Sequence, residues 1–167
     1  AYGCSNLDSD YDIVGFALPP ANITFPHSQN LIYGFDKYPK FDQWEAKDIE
    51  WNKKQYSFNV YGIVRFFGLC AECNPNIVEM LFIHEENILK MSSIAVIVRE
   101  SRRDFLHKGA YHRFKSYACA QWSKMTTNKS ETSSRARHPV DYYDLKFGTH
   151  LVRLLLQCEQ ILTEHDM

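Results

Sequence analysis

Nothing in this sequence is apolar for long enough to cross a bilayer. No window approaches the roughly 18 to 20 consecutive apolar residues of a spanning helix, and no charged-then-apolar leader opens the chain. Bulk charge is also missing: 19 Lys+Arg against 20 Asp+Glu leave a formal net charge of -1, which excludes a binder that works by overall positive charge. Cysteine is sparse and odd in number, five in 167 residues, so a secreted disulfide framework is excluded and a reducing compartment is expected. With 45% hydrophobic and 23% charged residues, the composition is neither collagenous nor disordered, and one globular, soluble, unexported domain with a real core is expected. An initiator Met is absent as well; the chain starts at Ala1 inside a Gly/Asp-rich run, which leaves open whether it is a fragment.

What is present divides the chain by periodicity. Residues 1–60 are strand-rich: Tyr11 to Leu18 is a half-apolar run stopped by Pro19-Pro20, Gln55 to Tyr61 alternates, and Asp48 to Trp51 followed by Asn52-Lys53-Lys54 predicts a hairpin into that run. Residues 61–167 are helical. A stripe of Ile63, Val64, Phe66, Phe67 and Cys70 stops at Asn74-Pro75, Asn76 is expected to cap a short helix through Phe82, and Ser92 to Val98 fits either helix or strand. Arg102 to Met125 reads as one helix with Gly109 as a weak point, and a last helix runs from about Tyr143 to Leu162. Thr126 to Arg137 is polar without periodicity, a predicted mobile loop. Strands first and long helices afterwards predict a two-layer α+β domain.

The sharpest chemical signal is Asp8-Ser9-Asp10-Tyr11-Asp12-Ile13. Residues two apart on a strand share a face, so Asp10 and Asp12 present paired carboxylates while Tyr11 and Ile13 are expected to turn toward the core. Two adjacent carboxylates repel unless a cation lies between them, and Mg²⁺ (or Mn²⁺), which prefers oxygen ligands and substrate phosphates, is the natural one. A solvated acidic turn is the bland account of so short a motif.

The segment Ala1-Tyr2-Gly3-Cys4-Ser5-Asn6-Leu7-Asp8 running into that strand resembles nucleotidyltransferases of the DNA polymerase beta superfamily, in the branch associated with RNA repair and ligation in bacteria and phages. The resemblance continues through Tyr61 to Phe67 with Asn74 to Phe82, through Phe114 to Ala118 with Gln121 and Met125, and through Tyr143 to Leu155. It implies a single nucleotidyltransferase domain over 1–167 of minimal polymerase-beta-like fold, a small mixed sheet with long C-terminal helices packed on it. It also implies Asp10 and Asp12 as catalytic and metal-binding residues, Gly3 and Ser5 as nucleotide contacts, and transfer from an NTP to an acceptor hydroxyl with release of pyrophosphate. The implied acceptor is RNA-related, although a protein side chain would use the same site, and the implied setting is the cytoplasm of a bacterium or phage-infected host. Two departures stand out. The Gly-Ser pair that precedes this segment in the family is not in the chain, and the strand expected to supply a third carboxylate reads Tyr56-Ser57-Phe58-Asn59-Val60. Asp48 and Glu50 are the candidate substitutes; without one, the alternative is a catalytically degenerate nucleotide-binding or protein-interaction module.

Lys146, His150 and Arg153 fall at i, i+4 and i+7, within a narrow arc of the last helix that Gln157 and Gln160 extend. Leu151, Leu154, Leu155, Cys158 and Leu162 form the adjoining apolar arc. A solvated helix face is the simplest account of the row; together with the resemblance, it is expected to contact the triphosphate, with little effect on stability when truncated. Ten Lys/Arg between Arg99 and Arg137 against Glu100, Asp104 and Glu131, interleaved with Phe105, Tyr111, Phe114, Tyr117 and Trp122, suggest a polynucleotide surface, although aromatics at helical spacing are more often core. Cys70-Ala71-Glu72-Cys73 has no second metal-binding pair, so buried thiols are expected there. His84, His107, His112 and His138 show no partner pattern.

Overall fold

In the computed structural model, which describes residues 10–30, 40–127 and 145–167, the first strand β1 is Tyr11–Ala17, ending just before the two prolines that cannot donate to a ladder. A single helical turn α1 (Ala21–Thr24) and a 3-10 turn follow. The predicted hairpin is β2 (Gln43–Trp51) and β3 (Lys54–Gly62), with Asn52 and Lys53 both at positive φ (51° and 61°), the left-handed pair that matches the twist of a two-residue hairpin. The sheet order is β1-β3-β2, with β1 parallel and β2 antiparallel to β3, so the protein is α+β with a small mixed sheet.

Register sorts the sheet into two unlike faces. Asp12 pairs with Ser57, and Glu45 pairs with Asn59; these share one face, where Gln43 Nε2 donates to Asn59 Oδ1 and Asn59 Nδ2 donates to the Tyr61 hydroxyl, both at 2.9 Å. Tyr11 pairs with Tyr56 and Ile13 with Phe58 on the other face. Tyr11 does not turn into a core as the alternation predicts: it is exposed and stacks on Tyr56.

The chain divides into two compact units. The first takes in the described residues up to Leu69 together with His84–Asn87. Here helix α2 (Ile63–Ala71) starts directly from β3, and its Phe66, fully buried, stacks on Phe16 with ring centroids 4.5 Å apart. Gly62 at that junction has no room for a side chain, because a Cβ would lie 2.0 Å from the Phe41 carbonyl oxygen.

The second unit, Cys70–Ile83 with Ile88–Met167, is helical. Helix α3 (Pro75–Phe82) is capped by Asn74 rather than Asn76: the Asn74 Oδ1 accepts from the Asn76 amide at 3.2 Å, and Pro75 takes the first helical position, where no donor is needed. Helix α4 (Ser93–Glu100) resolves the ambiguous segment, with Ser92 as its cap. The helix expected from Arg102 to Met125 is two elements, a 3-10 turn at Arg102–Phe105 and helix α5 (Ala110–Thr127). Tertiary contacts cause the break. Cys73 Sγ donates to the Phe105 carbonyl at 3.0 Å, and His107 Nδ1 accepts from the Gly109 amide at 3.0 Å while its Nε2 lies 3.0 Å from the Ala71 carbonyl.

Helix α6 (Leu145–Glu164) packs against α5. The core of this unit joins Val78, Leu106, Phe114 and Ala118 to Leu154, Cys158 and Ile161. The apolar stripe of α6 is therefore rotated from the predicted arc: Leu155 and Leu162 are exposed, and Ile161 takes their place in the core. The predicted loop lies mostly outside the described residues, although Thr126 and Thr127 belong to α5.

Candidate active site

Asp10 stands immediately before β1 and Asp12 is its second residue; both are exposed, and neither makes a hydrogen bond or ion pair among the described residues. Their i, i+2 spacing on extended backbone gives two bare oxygen donor groups on one side of the strand. That set fits Mg²⁺, which is commonly held by one or two carboxylates and keeps its remaining positions for water and phosphate oxygens.

The neighbouring strand offers Ser57 beside Asp12, and Asn59 is held in the amide network with Gln43 and Tyr61. Neither side chain is a base at neutral pH. Asp48 occupies a bulge between Ala46 and Ile49 with φ at 55°, and Glu50 pairs with Gln55. Both lie on β2, with β3 between them and β1, about two strand spacings or 10 Å away. Among the described residues no group of three or more His, Cys, Asp or Glu side chains could hold a metal ion, so Asp48 and Glu50 do not join Asp10 and Asp12 in a cluster. Gly3 and Ser5 lie outside the described residues.

The basic row lies in the second unit. Lys146 is in α6 with its side chain outside the described set; His150 and Arg153 are half-buried, at the edge of the core. Arg153 Nη1 donates to Glu79 Oε1 on α3 at 3.3 Å. Burial pushes the Glu79 carboxyl above the usual range, against the opposing pull of the Arg153 guanidinium and a hydrogen bond from Gln157. The sequence reading missed Glu79. The available signal was an acid set among Ile77, Val78, Met80 and Leu81, where an unpaired carboxylate would be costly.

Much of the basic segment from Arg99 is committed within its own unit. Arg99 donates to the Leu81 and Ile83 carbonyls at 3.2 and 2.6 Å, closing the end of α3. Arg103 pairs with Asp166, and Arg113 with Glu72 at 2.7 Å. Of the interleaved aromatics, Phe114 is core at 1% exposure and the Tyr117 hydroxyl accepts from Asn74, whereas Tyr111 and Trp122 remain exposed. Lys129, Arg135 and Arg137 lie outside the described residues. Cys70 and Cys73 are buried free thiols, as expected, and burial beside Cys73 pushes the Cys70 thiol up to about 12.

Among the described residues no helix is long and apolar enough to cross a membrane. No curated protein and no solved structure matches the chain. One family does match, over residues 1–167: the chain belongs to the RNA repair pathway DNA polymerase beta family, RlaP.

Proposed function

We propose that the protein is a Mg²⁺-dependent nucleotidyltransferase that joins a nucleotidyl group from an NTP to a hydroxyl of an RNA-related acceptor. The observation that carries this reading is the pair of exposed carboxylates, Asp10 and Asp12, at the start of the first strand and without a hydrogen bond or ion pair among the described residues, in a chain of this family. The acceptor hydroxyl gives its proton to water, its oxygen forms a bond to the α-phosphorus as the bond to the bridging oxygen of the β-phosphate breaks, and pyrophosphate leaves in line. Asp10 and Asp12 would hold Mg²⁺, which when bound neutralises charge developing on the phosphates. Within the second unit, Lys146, His150 and Arg153 are the phosphate contacts that the family resemblance implies, with Glu79 orienting the Arg153 guanidinium.

A second reading is favoured by one specific observation. Ser57 and Asn59 stand where a base-bearing strand is expected, which suits a nucleotide-binding module without turnover. Incubation with labelled NTPs, Mg²⁺ and a pool of RNA separates the two. Label enters RNA if the protein is an enzyme, and Asp10→Asn with Asp12→Asn stops it. Nucleotide-dependent thermal stabilisation without transfer supports the binding module, and label appearing on protein instead moves the acceptor.

A further inference from the structure

The sheet face opposite Asp12 carries a row of rings that the catalytic reading does not use. Tyr11 and Tyr56 stack with centroids 5.2 Å apart and planes 17° apart, Tyr56 and Phe58 follow at 6.4 Å and 20°, and Trp44 tilts against Phe58 at 6.3 Å. Trp51 stands edge-on to Tyr56 at 6.1 Å. The row thus crosses all three strands. It is also open, with Tyr11, Trp44 and Trp51 at 44%, 49% and 64% exposure. Isolated apolar groups in water are ordinary, but a connected aromatic patch of this kind marks an interaction surface.

Charge indicates the occupant. Lys54 is in register with this face, its Nζ 4.7 Å from the Tyr11 ring centroid and donating to the Tyr11 hydroxyl at 2.7 Å. Glu45 and Glu50 pair with Asn59 and Gln55 and so belong to the opposite face. The strand positions that pair on the aromatic face therefore carry one cation and no carboxylate, with Lys47 and Asp48 set apart in the β2 bulge. Flat rings accept any base through its π-face, and a cation at the end of the row meets a phosphate. An apolar protein partner would require neither property.

We propose that this face binds single-stranded RNA, with bases stacked on Tyr11, Trp44, Trp51, Tyr56 and Phe58 and a backbone phosphate at Lys54. The choice of RNA rests on the reading of an RNA acceptor given above, but binding is measured without turnover, so the two fail separately. Titration with oligouridylate and oligoadenylate, followed by tryptophan fluorescence and by anisotropy of end-labelled oligomer, tests it.

Single strands are expected to bind in preference to duplex of the same length. Trp51→Ala and Trp44→Ala each weaken binding by about fivefold or more, and Trp51→Phe recovers most of the loss. Lys54→Ala lowers the dependence on salt by about one ion. Circular dichroism confirms that each variant is folded, and the Trp51→Ala and Trp51→Phe comparison suffices if Trp44→Ala is not. Equal affinity of the folded Trp51→Ala variant, equal binding of duplex, or a dimer in sedimentation that Trp51→Ala dissociates would each overturn the proposal. No label transfer by the wild type, with oligomer binding intact, counts against the catalytic reading alone.

Discussion

Arg153 Nη1 and Glu79 Oε1 meet at 3.3 Å, with side chains 22% and 12% exposed, and so tie α6 to α3. The expectation that truncating Arg153 leaves stability untouched is accordingly replaced. Arg153→Ala leaves the Glu79 carboxylate largely buried without its charge partner, and a loss on the order of 2 kcal/mol is expected from urea unfolding. Unchanged stability would show that Glu79 is neutral or solvated in the folded chain.

The same carboxylate sets a pH dependence with a sign opposite to that of a well-paired acid. Its pKa is raised on folding, so the folded state binds the proton more tightly. Stability contributed by Glu79 is therefore present at low pH and lost as pH rises from the ordinary glutamate range through the raised value. The difference in melting temperature between wild type and Glu79→Gln, followed from pH 4 to 7, is expected to move against the wild type as pH increases.

Gly62 tests close approach of backbone to backbone. Because the obstacle to a Cβ is the Phe41 carbonyl at 2.0 Å rather than a flexible side-chain tip, Gly62→Ala forces the chain apart where β3 becomes α2. A destabilisation of about 3 kcal/mol is expected from denaturant unfolding, toward the upper end for single substitutions.

His107 fixes the break between the 3-10 turn and α5 through both ring nitrogens. The Gly109 amide can donate only to a bare Nδ1, so Nε2 carries the proton and donates to the Ala71 carbonyl. His107→Ala removes both bonds, with an expected loss of about 1 to 2 kcal/mol and faster amide exchange at Gly109.

Thiol reactivity separates the cysteines by burial. Cys119 is exposed, whereas Cys70, Cys73 and Cys158 are buried with thiol pKa values raised by burial. Among these described cysteines, an alkylating reagent at pH 8, read by peptide mass, is expected to label Cys119 in minutes and Cys70, Cys73 and Cys158 only in denaturant. Early labelling of Cys70 would show that the end of α2 opens locally.

Local chemistry made much of this legible from sequence alone. Alternation placed β1 and β3, Pro19-Pro20 and Asn74-Pro75 ended elements because proline has no amide to donate, and Asn52-Lys53 marked the hairpin. The i, i+2 spacing put Asp10 and Asp12 on one side of a strand without any knowledge of its neighbours. What pairs across the fold was not legible. That Tyr11 lies in an open aromatic row depends on β3 being its parallel neighbour, and that Glu79 holds Arg153 depends on α3 meeting α6, contacts between residues 45 and 74 positions apart. The break at His107 is of the same kind: helix propensity favours continuity, but two hydrogen bonds to distant and local backbone outweigh the few tenths of a kcal/mol per residue that propensity supplies. Sequence determined most of the strands and helices and the spacing of the carboxylates; only tertiary packing decided where the helix before α5 breaks, which faces are open and which cations are already paired, because those depend on partners that no local pattern encodes.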